Sequence, residues 1–310
     1  DGGAEHWDKY THKILTEASP NLLTSSIELL RLTTPYLDRI YEDYARINIV
    51  DIGVGNCLPV RKLLTHFLEQ NKLARYIGID VSQDMIELAR RNIELWFGDK
   101  VKFEGYVRDF SYERFRDILL PEIYDKDEYS TANLMLFLGG TLANFRKPER
   151  TLTTIHDSMT KNDFLISTMK LDSMQSRRYF DFSAGSGAPA LDLQEKNILD
   201  LLNIDESLYT VEQFFDKQLF ERRIQVRFNV AVSLTFELEG RQKAVNINKD
   251  DTLLLWRYKH RDLLHILGRY DQCDFETVQL VRSKNQECVL TTCKIKTGQP
   301  TNVRARLESY

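Results

Sequence analysis
Residues whose types and spacing could do chemistry gather at four places in the chain. An apolar run ends in Asp51-Ile52-Gly53-Val54-Gly55, and a second stops at Gly78-Ile79-Asp80-Val81-Ser82. A third is followed by Asp109-Phe110, and a fourth leaves through Phe137-Leu138-Gly139-Gly140-Thr141. A glycine turn between a strand and a helix brings backbone N–H groups and a helix N-terminus to the carboxyl end of a sheet, where open α/β folds bind ligands. Asp80, with Val81 and Ser82 beside it, can accept hydrogen bonds from both hydroxyls of a ribose; its plainer alternative is the N-cap of the next helix, a place that Ser82 could fill instead. Asp109 can take an exocyclic adenine amine while the Phe110 ring packs on the base, against the plainer pair of a turn aspartate and a core phenylalanine. Glycines at 139 and 140 let a ligand come close to the backbone. Each feature alone has an ordinary structural explanation, and together they describe an adenosine site.

What is missing narrows the ligand. A dinucleotide fingerprint wants a third glycine three positions after Gly55, where this chain has Leu58, and no GxxxxGK[ST] phosphate loop occurs. A turn with one pair of glycines suits an adenosine carrying an amino-acid tail in place of phosphates. S-adenosylmethionine is that ligand, and its sulfonium makes the methyl group electrophilic, so the protein has to hold a nucleophile in line and exclude water.

The elements that position these residues follow from periodicity. Strands are predicted at Ile47 to Ile52, Arg75 to Val81, Val101 to Val107, Ala132 to Leu138 and Phe164 to Met169, with helical spacings between them. The near-continuous apolar character of the fourth fits a parallel strand covered on both faces. Ahead of them, Leu22 to Tyr44 reads as two short helices separated at Pro35. This alternation predicts a doubly wound, Rossmann-like α/β sheet. After Lys170 the pattern changes. Ile224, Val226, Phe228, Val230, Val232, Leu234, Phe236 and Leu238 alternate with polar residues, which predicts one long antiparallel strand that Gly240 turns back into a partner around Val245 to Ile247. Arg222, Arg223 and Arg227 are expected on its solvated face. The domain organisation expected is therefore 1–170 for the N-terminal helices and nucleotide-binding core, 171–257 for an inserted α+β substrate domain, and 258–310 for a closing helix, around His260 to Leu267, and a hairpin of Phe275 to Val281 with Glu287 to Ile295.

Composition sets the boundaries. The 310 residues carry 42 basic and 46 acidic side chains, a formal net charge of −4, without the basic stripe of a phosphate-backbone binder. No apolar stretch approaches a membrane span. Cys57, Cys273, Cys288 and Cys293 have neither metal-knuckle nor disulfide-framework spacing, and His260 and His265 lie five apart without a metal motif, so no metal site is expected and a reducing cytoplasm is the expected compartment. The chain opens Asp1-Gly2-Gly3 with no initiator Met and no signal pattern, the expectation for one module of a larger multidomain protein.

These residues resemble the histidine-specific class I methyltransferases of ergothioneine synthesis, related to dimethylallyltryptophan N-methyltransferase. The most specific match is Leu136-Phe137-Leu138-Gly139-Gly140-Thr141-Leu142-Ala143-Asn144-Phe145 followed by Pro148-Glu149-Arg150, which looks like the family's FLGSTIGN segment and the helix start behind it. The resemblance implies that Gly53 and Gly55 serve the methionine portion of the cofactor, Asp80 the ribose, and Asp109 with Phe110 the adenine, with Asp51 also counted among the cofactor-binding residues. It implies that Asn144, beside Thr141, holds the acceptor's α-amino and carboxylate groups and that Tyr179 helps with the carboxylate. At the family's imidazole-binding glutamate and serine this chain has Leu255 and Arg257, and Leu22-Leu23-Thr24 stands where a substrate tyrosine is found. A leucine cannot replace an imidazole-binding carboxylate. The expected activity is methylation of a small molecule, the amine of an amino acid or amino-acid-derived metabolite other than histidine. A catalytically silent methyltransferase fold and a nicotinamide oxidoreductase are the alternatives, and no catalytic base is assigned.

Overall fold
Five parallel strands carry the four chemically suggestive segments on one sheet edge. The structure, a computed structural model, describes residues 3–16, 21–119, 131–171, 191, 193–216, 218–219, 221–238, 240–259 and 262–297. In chain order the first part holds α1 (Gly3–Thr16), α2 (Leu22–Ile40), β1 (Arg46–Ile52), α3 (Arg61–Glu69), β2 (Leu73–Asp80), α4 (Gln83–Phe97), β3 (Phe103–Val107), a single turn α5 (Arg116–Leu119), β4 (Thr131–Phe137), α6 (Pro148–Ser158) and β5 (Phe164–Lys170). Then follow α7 (Leu193–Leu201), β6 (Tyr209–Asp216), β7 (Glu221–Phe228), β8 (Val232–Leu238), β9 (Arg241–Ile247) and β10 (Thr252–Lys259), and finally α8 (Leu263–Gln272), β11 (Phe275–Arg282) and β12 (Cys288–Ile295).

The seven-stranded sheet runs β11-β12-β5-β4-β1-β2-β3. β1 through β5 are mutually parallel, and the β11–β12 hairpin adds antiparallel to β5. The order reverses between β1 and β4, the switch point at which such sheets open a crevice at their carboxyl ends. Side chains alternate across the sheet. Ile47 and Ile49 join α2, α3 and α4 in one apolar layer, whereas Val50 and Ile52 join α6 and α8 in the other. Burial on both faces is what the apolar run of β4 demands.

The chain divides into two compact units, Asp1–Leu171 with Arg261–Tyr310, and Asp172–His260. The second has its own apolar cluster around Leu199, Ile204, Val226 and Phe228.

Three expectations are corrected. Pro35 does not divide a helix: α2 continues through it, because Leu29, Leu30, Thr33 and Leu37 bury one stripe while Pro35 and Arg31 face solvent. The long alternating strand is two strands in two sheets. β7 pairs with β6 and β10, the chain bends at Asn229 and Val230, and β8 pairs with β9. Val230, which the alternation places inside, is 45% exposed. Of the arginines expected on a solvated face, Arg222 is buried, only 2% exposed, whereas Arg223 and Arg227 keep to the solvated side of the strand, paired with Glu221 and Glu212.

Candidate active site
β1 ends in a turn that needs residues without side chains. Gly53 and Gly55 have φ of +73° and +52°, and the Gly53 and Val54 N–H groups donate to the Ile79 carbonyl of β2 at 2.8 and 3.3 Å. A Cβ on Gly53 would stand 3.4 Å from Thr141 Cγ2 and 3.8 Å from Phe110 Cζ. Three segments singled out in the sequence, after β1, β3 and β4, therefore converge on one point. The turn behind β4 is tied down by β5: the Gly139 N–H donates to Thr168 Oγ1 at 3.0 Å and the Gly140 N–H to the Thr168 carbonyl at 3.1 Å. Leu22 of α2 closes over this turn so tightly that a Cβ on Gly140 would lie 2.8 Å from its Cδ2.

Each carboxylate has a different setting. Asp51 is buried within β1 and its Oδ2 accepts from the Tyr76 hydroxyl at 2.8 Å, with the buried Cys57 thiol alongside. Burial pushes its carboxyl up to about 8, against the pull of the Tyr76 hydroxyl and with a small push from Asp80. Asp51 thus sits beneath the glycine turn. Asp80 stands at the end of β2, where partial burial raises its carboxyl while the Ser82, Gly55 and Val81 N–H groups hold it down in part. Its Oδ1 accepts from the Ser82 N–H at 3.1 Å, and the helix cap is supplied by Ser82, whose Oγ accepts from the Met85 N–H. Val81, 60% exposed, offers an apolar surface beside that carboxylate. Asp109 folds over its own turn, its Oδ1 accepting from the backbone N–H and hydroxyl of Ser111; among the described residues its Oδ2 has no partner.

Phe110 has a core position. It packs edge-on against Phe137 and Phe145 and reaches the glycine turn with its tip, the placement of the core phenylalanine that the sequence also allowed. The short helical turn Thr141–Asn144 follows Gly140. Within it, Thr141 Oγ1 donates to the Leu138 carbonyl, and the Asn144 amide is exposed with no partner among the described residues. Leu255 and Arg257 lie on β10 of the second unit, where Leu255 packs against that unit's apolar cluster. Tyr179 lies outside the described residues.

Some residues at the turn escape the sequence reading. Trp7 of α1 brings Nε1 to 3.3 Å from where a Cβ on Gly55 would stand, and Asn56 ties the turn to α1 through Asp8 and Thr11. No motif marks them. The signal was an amphipathic N-terminal segment with a tryptophan on it.

The arrangement fits an adenosine with a cationic tail. Glycines leave room at the sheet edge, and carboxylates stand at the ends of the two neighbouring strands, Asp80 on β2 and Asp109 after β3. Among the described residues no group of three metal-ligating side chains forms, and no described helix is long and apolar enough to cross a membrane.

Comparison with known proteins agrees with the geometry. An S-adenosylmethionine-dependent methyltransferase from Clostridium acetobutylicum ATCC 824 superposes with a TM-score of 0.51 at 10% identity, over 94% of this chain and 99% of that one, a likeness of fold. A magnesium protoporphyrin IX methyltransferase from Synechocystis PCC 6803, solved with S-adenosylhomocysteine, gives 0.48 at 10% identity over 95% of this chain and 96% of that one. Among curated proteins nothing matches. A family model described as histidine-specific, SAM-dependent methyltransferase matches residues 13–295. With nine-tenths of the chain matched, and a class I sheet to carry it, the chain belongs to the histidine-specific, S-adenosylmethionine-dependent methyltransferase family.

Proposed function
We propose that this methyltransferase acts on the amine of an amino acid or amino-acid-derived metabolite other than histidine. The observation that carries the acceptor reading is Leu255, which stands where the resemblance puts an imidazole-binding glutamate and packs into an apolar cluster. A site that hydrogen-bonds a polar group discriminates strongly against ligands that leave it unpaired, and its loss removes the reason to prefer an imidazole. Arg257 and Tyr179 are proposed as further acceptor residues.

When bound, the cofactor supplies an electrophilic methyl group on sulfur. Asp80 accepts hydrogen bonds from the ribose hydroxyls and Asp109, through its unpartnered Oδ2, from the adenine amine. The Gly53–Gly55 turn leaves space for the amino-acid tail, and the exposed Asn144 amide, donor and acceptor at once, holds the acceptor's amino-acid end. An amine attacks only when neutral. The Gly139–Phe145 segment contains no ionisable side chain, so no residue of that turn takes the proton.

The test is a methylation assay with a panel of amino acids and amines, histidine among them, read by product mass. Transfer to a non-histidine amine at higher kcat/KM than to histidine is expected; preference for histidine would overturn the acceptor reading. In the same assay Asn144→Ala should raise the acceptor KM about tenfold with little change in S-adenosylhomocysteine affinity, and Asp80→Ala should do the opposite, weakening S-adenosylhomocysteine about 10- to 100-fold.

A further inference from the structure
The landmarks of the proposed cofactor site stand on consecutive strands, Asp109 after β3, Asp80 on β2 and the glycine turn after β1. A ligand with adenine at β3 and ribose at β2 therefore brings its amino-acid tail to the glycine turn. That tail carries a carboxylate, which needs donors, and the turn has few to give. The Gly53 and Val54 N–H groups are bonded to the Ile79 carbonyl, the Cys57 N–H to the Val54 carbonyl and the Leu58 N–H to the Asn56 side chain, while the Gly55 N–H faces the Asp80 carboxylate.

Among the described residues the Asn56 N–H of the turn has no partner, and one side-chain donor beside the turn is also free. Trp7 Nε1 lies 3.3 Å from the Cβ position of Gly55, and among the described residues it has no hydrogen-bond partner. The indole N–H only donates, so it can meet the carboxylate of such a tail and not its ammonium. Its placement is fixed by the turn itself. Asn56, the residue after Gly55 and 2% exposed, donates through Nδ2 to Asp8 Oδ1 at 2.9 Å and to Thr11 Oγ1, and its carbonyl accepts from Asn92 Nδ2 at 3.0 Å. The far end of α1 is tied as well, with Asn21 Nδ2 donating to the Ile14 carbonyl at 2.7 Å. α1 packs on α2 and α4, so the indole is carried on a helix tied at its middle and near its C-terminal turn.

We propose that Trp7 is a cofactor-binding residue, its indole N–H donating a hydrogen bond to the carboxylate of the cofactor's amino-acid tail, with α1 covering that end of the site. This rests on the cofactor placement given above. The experiment is calorimetric titration of the full chain with S-adenosylhomocysteine and with 5′-methylthioadenosine, which keeps the adenosine thioether and lacks the tail. Trp7→Phe retains an aromatic ring and removes the donor. The variant is expected to bind S-adenosylhomocysteine about tenfold more weakly and methylthioadenosine as the wild type does. Equal loss for both ligands would make Trp7 a packing residue only, and no loss for either would remove it from the site; both overturn the proposal. Wild-type protein that fails to bind S-adenosylhomocysteine would instead overturn the cofactor placement, and this contact with it. A measurement free of any variant is the indole ¹⁵N–¹H resonance of Trp7, which should move on adding S-adenosylhomocysteine and stay on adding methylthioadenosine. An identical response to both, or none to either, contradicts the assignment.

Discussion
Asp51 and Asp80 end adjacent strands, yet their surroundings give them opposite uses. In its proposed role toward the ribose Asp80 works as an anion, so its acceptor capacity is complete only above its raised range. Asp51 is sealed under the glycine turn with the Tyr76 hydroxyl, and burial holds its carboxyl neutral up to about 8. A carboxyl whose folded value lies above its unfolded 3.8 contributes stability that is complete below 3.8 and is lost as pH rises toward 8. Chemical denaturation of the wild type should therefore show a stability component that declines with rising pH across that window and levels off above it. Asp51→Asn keeps an oxygen for Tyr76 and cannot ionise, so the same series on that variant should be flatter; an unchanged slope would show that other groups set it.

At the scale of elements, close approaches explain why particular glycines stand in strands. β3 and α4 meet where a Cβ on Gly105 would lie 2.4 Å from Ile86 Cγ2. Gly105→Ala should cost about 1 to 3 kcal/mol by overpacking, seen as a lower Tm, and an unshifted Tm would mean that α4 yields freely there. The same elements show what a sequence can carry. The strand, glycine turn and helix units are legible because each has its own period and its own punctuation, and Ser82 announces its cap by type and place. The path of α2 through Pro35 is not legible, since the outcome depends on which face the proline occupies after packing. Nor is the break between β7 and β8, because alternation records which way side chains point along a strand and not whether the strand stays in one sheet. At the site, the four glycine and carboxylate segments could be found because each sits at the end of an apolar run. Trp7 and Asn56 could not, because they reach the turn through tertiary packing of α1. The burial of the Phe110 ring was equally hidden, since an aromatic that follows a strand looks the same whether its ring turns in or out.

The whole molecule is two packed units with separate apolar clusters, and the residues proposed for the cofactor all belong to the unit that holds the seven-stranded sheet. A ligand that binds only folded protein stabilises what it binds, by about 2.7 kcal/mol at a hundredfold excess over Kd. Scanning calorimetry with S-adenosylhomocysteine should therefore raise the transition of the larger unit. If the two units melt separately, the transition of the 172–260 unit should stay in place, and a shift confined to that second transition would contradict the assignment of the site.

The indole against Gly55 also gives the protein an optical reporter of its own. The chain has three tryptophans: Trp96 lies under the Arg61 guanidinium on α4, Trp256 belongs to the second unit, and Trp7 borders the glycine turn. Emission from Trp7 therefore depends on what occupies the turn, and a Trp96→Phe, Trp256→Phe background would turn cofactor arrival into a single fluorescence signal, readable without label or substrate.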